Sequence, residues 1–239
     1  MLSRRIAAAT IMLALFAVAG RCAQTDDVKP ELKTADSVRV TYYMSLPNGW
    51  TADKSWPILV TLDGSGHNFE QNCRAFARAR GTRPFIFVTP CVTSNGNDPA
   101  DAKAVLAIVE EVRRERHGQP EFFLTGFSAG GHVTWQLIFA HPELLAAAAP
   151  AAANFRYRGL DSFSEAPERE RLPIHAFQGD KDSIIASLNS QWDDASTLAR
   201  EHGYKNLERS IVPGAGHAPH AQQVVDYFAT LLNPSPLQP

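Results

Sequence analysis

Apolar and β-branched residues recur along the chain in short runs, at Val38 to Tyr43, Ile58 to Leu62, Phe85 to Thr89, Phe122 to Thr125, Ala146 to Ala151, Ile174 to Phe177 and Arg209 to Val212. Each run predicts a strand. Between them lie stretches of helical composition or period, namely Phe69 to Arg80, Asp101 to His117, Ala129 to Ala140, Ser187 to His202 and Ala218 to Leu232. The plainest is Asp101 to His117, where Ala104, Ile108 and Val112 share a face with Val105 and Val109 beside it. Glu110, Glu111, Arg113 and Arg114 fall outside that stripe and are predicted to face water.

Strands that alternate with helices imply crossover connections, and a run as continuously apolar as Ile58 to Leu62 suits a strand covered on both faces. The fold class is therefore α/β with a mostly parallel sheet, forming a single domain over residues 24 to 239. Ala146 to Ala151 is a strand against the helical preference of alanine, on the strength of Pro150 and the alternation around it. An antiparallel hairpin turning at Leu46-Pro47-Asn48-Gly49 is expected near the start, and the final NPSPLQP reads as a frayed tail.

Charge changes the picture only by exclusion. A formal net charge of -2, with no long Lys/Arg run, leaves no electrostatic footprint for nucleic acid. Residues 1 to 23 differ from the rest: Arg4 and Arg5 precede an apolar run from Ile6 to Gly20, the pattern of a signal peptide too short to cross a bilayer. The mature chain is thus expected to be secreted or periplasmic, with no stable membrane span. Lipid attachment at Cys22 is not expected, because Arg21 stands where a small residue is required. In an oxidising compartment Cys73 and Cys91, eighteen residues apart, are expected to form a disulfide contributing about 3 kcal/mol.

The chemistry gathers around Gly126-Phe127-Ser128-Ala129-Gly130-Gly131. The stretch lies at a predicted strand-to-helix junction, the end of an α/β sheet where reactive groups collect. A turn tight enough to lift a serine there crowds the residues two positions away on either side, and glycine relieves the crowding. Gly131 would then let the helix lie close to the sheet. A serine nucleophile needs a base, and the base needs an orienting acid. Two later strand-end loops supply them: GDKDSII holds Asp182, with Asp180 as the alternative, and GAGHAPH holds His217, with His220 nearby. Ser128, Asp182 and His217 follow one another at intervals of 54 and 35 residues.

Through GFSAGG, GDKDSII and GAGH, over nearly all of the mature chain, the sequence resembles the α/β-hydrolase superfamily of serine esterases. The LDGSGHN stretch after Ile58 to Leu62 is similar in part to the esterase D and enterochelin esterase group and in part to the polyhydroxybutyrate depolymerase and feruloyl esterase group. The resemblance implies a sheet of about seven or eight strands, carboxylic ester hydrolysis through an acyl-enzyme, and no cofactor or metal. It implies an oxyanion hole from the backbone N–H groups of Ser65 and Ala129. Gly64, Asn154, Phe155 and Trp192 are the candidates for substrate contact. Many relatives carry a large helical lid where this chain has only the polar stretch Asn154 to Pro173, so the lid is minimal and short-acyl or polymer-derived esters are the expected substrates. Two other classes fit the residues: a catalytically silent binding protein of hydrolase fold, and a peptidase.

Overall fold

A computed structural model describes residues 29 to 232. The expected leader and the C-terminal tail lie outside the described residues. Within the described residues eight strands form one sheet: β1 (Glu31–Thr34), β2 (Thr41–Ser45), β3 (Trp56–Leu62), β4 (Ile86–Pro90), β5 (Gly118–Phe127), β6 (Leu145–Ala151), β7 (Ile174–Gly179) and β8 (Leu207–Val212). Their spatial order is β1-β2-β4-β3-β5-β6-β7-β8. The pairs β1/β2 and β2/β4 are antiparallel, and the remaining pairs are parallel.

Among the described residues five helices cover the sheet: α1 (Phe69–Ala79), α2 (Ala100–Arg116), α3 (Gly130–Ala140), α4 (Ile185–Glu201) and α5 (Ala221–Leu232). The core divides accordingly. Cys73 and Phe76 of α1 and Val224 and Phe228 of α5 pack on one face of the sheet with Leu59, Phe87 and Phe123. The other face carries Val105 and Ile108 of α2, Val133 and Leu137 of α3, and Trp192 and Ala195 of α4, against Ile58, Val60 and Leu124. Successive residues of β3 thus feed opposite cores, which is why the strand is apolar throughout. In β6, Ala148 faces one core and Ala147, Ala149 and Ala151 the other. Small side chains let helices approach a central strand from both sides, and that packing overrides alanine's helical preference.

Three local expectations are corrected. The hairpin turns between β1 and β2 at Ala35 to Val40, where Ala35 N donates to Val40 O at 2.9 Å. Pro47 to Trp50 forms a separate turn, and β2 goes on to pair with β4 rather than with β3. Glu111 is buried rather than solvated, because it accepts from Tyr42 Oη at 2.9 Å and from the Asp36 backbone N–H at 3.0 Å. Cys73 and Cys91 are free thiols. Each instead bonds a threonine, Thr89 and Thr41 respectively, and burial pushes the Cys73 thiol up to about 12. Among the described residues no helix is long and apolar enough to cross a membrane.

Candidate active site

The carboxyl ends of β3, β5, β6, β7 and β8 face the same edge of the sheet, and the loops leaving them build the site. Ser128 occupies the junction of β5 and α3 with φ of 49°, a left-handed conformation rare for a residue with a side chain. Three backbone bonds hold it there. Ser128 N donates to Ala152 O at 3.1 Å, while Ser128 O accepts from Gly131 N at 2.9 Å and from Asn154 N at 2.8 Å.

The flanking glycines answer steric demands. A Cβ on Gly126 would collide with Thr134 Oγ1 and stand 2.6 Å from Gly130 O, and one on Gly130 would stand 2.5 Å from Asp63 O. Gly131 is needed for a different approach from the one expected: its Cβ would meet Asn154 O at 2.5 Å, so the contact is with the loop after β6. Gly64 brings the loop after β3 alongside the serine, since a Cβ there would lie 3.1 Å from Ser128 Cβ. The backbone N–H groups of Ser65 and Ala129 bond no acceptor among the described residues. Ala129 also stands at the N-terminus of α3, where the helix dipole favours negative charge.

Asp182 and His217 meet across the ends of β7 and β8. The loops interlock because Gly179 has no side chain; a Cβ there would strike the carbonyl of Ala215. His217 Nδ1 stands 2.7 Å from Asp182 Oδ2, and the carboxylate side chain is fully buried. A carboxylate only accepts, so Nδ1 carries the proton and Nε2 is left with its lone pair. The other carboxylate oxygen accepts from Ile184 N at 2.9 Å. Asp180 serves the backbone instead, since its Oδ1 accepts from Gly214 N at 2.6 Å and shapes the histidine loop.

The His217 ring lies 4.8 Å, centroid to centroid, from that of Phe127, the residue just before Ser128. No hydrogen bond joins Ser128 Oγ to His217 among the described residues. Such contacts are often long before substrate binds.

His220 is buried against this pair, with its Nε2 unpartnered. Burial holds its pKa down, Asp182 opposes that and His217 adds to it. His132, on the first turn of α3, has its pKa lowered to about 4 by burial and then by Arg156.

Of the expected substrate contacts, Gly64 and Asn154 adjoin the serine, while Phe155 and Trp192 line a small space of about 10 Å³. Both are buried around Trp135, at ring separations of 5.8 and 6.1 Å. Their bulk makes them core, and exposed Tyr157 is the aromatic residue of that loop that meets solvent. The connection from β6 to β7 contains a single short 3-10 helix, Pro167–Glu170.

No protein-family model matches the sequence, and no curated protein matches it. Solved structures do. A thermostable esterase is similar at 19% identity and a TM-score of 0.62, the match covering 85% of this chain and 60% of that one. Poly(aspartic acid) hydrolase-1 from Sphingomonas sp. KT-1 is similar at 16% identity and a TM-score of 0.65, over 84% of this chain and 97% of that one. The feruloyl esterase module from Clostridium thermocellum gives 17% identity and a TM-score of 0.63, over 84% and 86%. The architecture is the α/β-hydrolase fold.

Proposed function

We propose that the chain is a serine hydrolase cleaving carboxylic esters with Ser128 as nucleophile, His217 as general base and Asp182 as the orienting acid. The observation that carries the reading is the bond from His217 Nδ1 to the fully buried Asp182 carboxylate, on a loop beside the strained Ser128 turn. Two of the similar structures are named as esterases or an esterase module, which supports the ester reading over the silent one.

In this mechanism Nε2 of His217 takes the Ser128 proton as Oγ attacks the carbonyl carbon, and Asp182 stabilises the imidazolium that results. The oxyanion draws on the N–H groups of Ala129 and Ser65, a pair of donors each worth about 3 kcal/mol in such sites. The alcohol leaves with the histidine's proton. Water, deprotonated by the same imidazole, then releases the acid. With a short connection between β6 and β7, soluble short-acyl or polymer-derived esters are the substrates that reach the serine. Removal of residues 1 to 23 and export would place the enzyme outside the cytoplasm.

A fluorophosphonate probe tests the assignment. It should label the wild-type protein and not Ser128→Ala, and p-nitrophenyl butyrate should turn over faster than the palmitate. An unlabelled, folded wild type would instead support a silent binding protein, and faster cleavage of matched amides would support a peptidase.

A further inference from the structure

The loop after β4 and the loop after β6 enclose a cleft of about 220 Å³ whose lining includes Gly96, Gln136, Arg156, Arg158 and Asp161. Its walls are fixed. Gln136 Nε2 of α3 donates to Gly96 O at 3.0 Å and to Gly159 O at 2.9 Å, tying the two loops together. Asp101 Oδ2 accepts from Gly96 N at 3.0 Å and from Ser94 Oγ at 2.5 Å, holding the first loop to the start of α2.

Two cations share this cleft without a counter-ion. Arg156 Nη2 donates to the neutral Asn95 carbonyl at 2.9 Å, and its Nε is buried with no partner. Arg158 is exposed and makes no hydrogen bond or ion pair among the described residues. Asp161, on the same rim, pairs with neither. Further along the same connection, Arg169 pairs with Glu165 and Arg171 with Glu168. Burial, and then the like charge of Arg158, hold the Arg156 pKa down, as expected where an anion is missing.

The cleft shares α3 and the loop after β6 with the serine turn. Asn154 N donates to Ser128 O, and Arg156 is two residues further along the same loop, at most about 7 Å of chain. Gly96 rests on His132, four residues after Ser128, and Gln136 lies eight residues after Ser128, about 12 Å along α3. An anion held by both guanidinium groups would therefore lie on the order of 10 Å from Ser128 Oγ.

We infer that this cleft is a carboxylate-binding subsite, so that the ester substrates carry a carboxylate several bonds from the scissile group. The inference rests on the serine hydrolase reading. Planar guanidinium forks match a carboxylate with paired hydrogen bonds, whereas a neutral chain would leave both cations unpaired.

The test compares p-nitrophenyl hydrogen adipate with p-nitrophenyl hexanoate, and 4-carboxyphenyl butyrate with phenyl butyrate, at low ionic strength in wild type, R158Q and R156Q/R158Q. The first pair carries the charge on the acyl side and the second on the alcohol side. Wild type should favour the anionic member of at least one pair by tenfold or more in kcat/KM. The ratio should fall severalfold in R158Q, which breaks no hydrogen bond, and approach one in the double variant. Calorimetric titration with adipate gives a readout independent of turnover: binding to S128A that weakens at least tenfold on adding R158Q supports the subsite. Equal turnover of the paired esters, or adipate binding indifferent to R158Q, overturns it. Adipate binding without hydrolysis of any ester would instead overturn the hydrolase reading alone.

Discussion

His217 Nδ1 and Asp182 Oδ2 stand 2.7 Å apart, with the carboxylate side chain sealed from solvent and the imidazole partly open. One side of the ring is thereby fixed and the other is free to work. The two aspartates of this turn act on different partners, for Asp182 bonds the histidine and Asp180 bonds the Gly214 backbone.

Asp182→Asn should therefore lower kcat by about ten-thousandfold, because an amide at this position can hold the imidazole in the wrong tautomer. Asp180→Asn keeps an acceptor for the Gly214 N–H and should cost less than tenfold. Steady-state hydrolysis of p-nitrophenyl butyrate, with folding checked by circular dichroism, measures both. Equal losses in the two variants would mean that Asp182 is not the orienting acid.

Gly130→Ala should destabilise the fold by about 1–3 kcal/mol, since its Cβ would stand 2.5 Å from the Asp63 carbonyl, with no flexible side chain to move aside. Gly49→Ala is the control. With φ of 74° and nothing within 4 Å of an added Cβ, it carries only the left-handed backbone strain, about 1 kcal/mol. Urea midpoints distinguish them, and a Gly130→Ala protein as stable as Gly49→Ala would contradict the packing at the turn.

Both thiols should titrate with a thiol-specific reagent when a chain starting at residue 24 is unfolded without reductant. In the folded protein Cys73 should react far more slowly than Cys91, because it is completely buried and its thiolate is strongly disfavoured. Detection of no free thiol after unfolding would restore the disulfide and contradict the threonine contacts of the two cysteines.

Much of the site was legible in the sequence because it lies at punctuated junctions. Gly126 and Gly130 mark the Ser128 turn by their missing side chains, and the loops of Asp182 and His217 follow clear apolar runs. Residues whose environment is made by distant elements were not legible. Glu111 looks like a solvent-facing helix position until Tyr42 and Asp36 arrive from the hairpin. Phe155 and Trp192 look like walls of an open site until Trp135 packs against each of them. Strand β1 is short and exposed at the sheet edge, so its sequence ELKT carries little apolar signal. Arg156 and Arg158 carry no signal of their own because charge on a polar loop is ordinary; only the lack of an ion pair among the described residues sets them apart, Asp161 on the same rim included.

Acid should weaken the fold partly through His132. Burial, and secondarily Arg156, lower its pKa from 6.5 to about 4, so the folded chain refuses a proton that the unfolded chain accepts between those values. Above pH 6.5 neither form binds that proton and the residue adds no pH dependence. As pH falls from 6.5 toward 4, the unfolded state gains protons and stability declines. His175 and His220 are also held down mainly by burial and contribute in the same direction. His132→Gln removes one titrating group, so the fall in urea midpoint between pH 7 and pH 4.5 should be smaller than in wild type, though not abolished. An identical fall in the two proteins would show that His132 takes up its proton equally readily in the folded and unfolded chain.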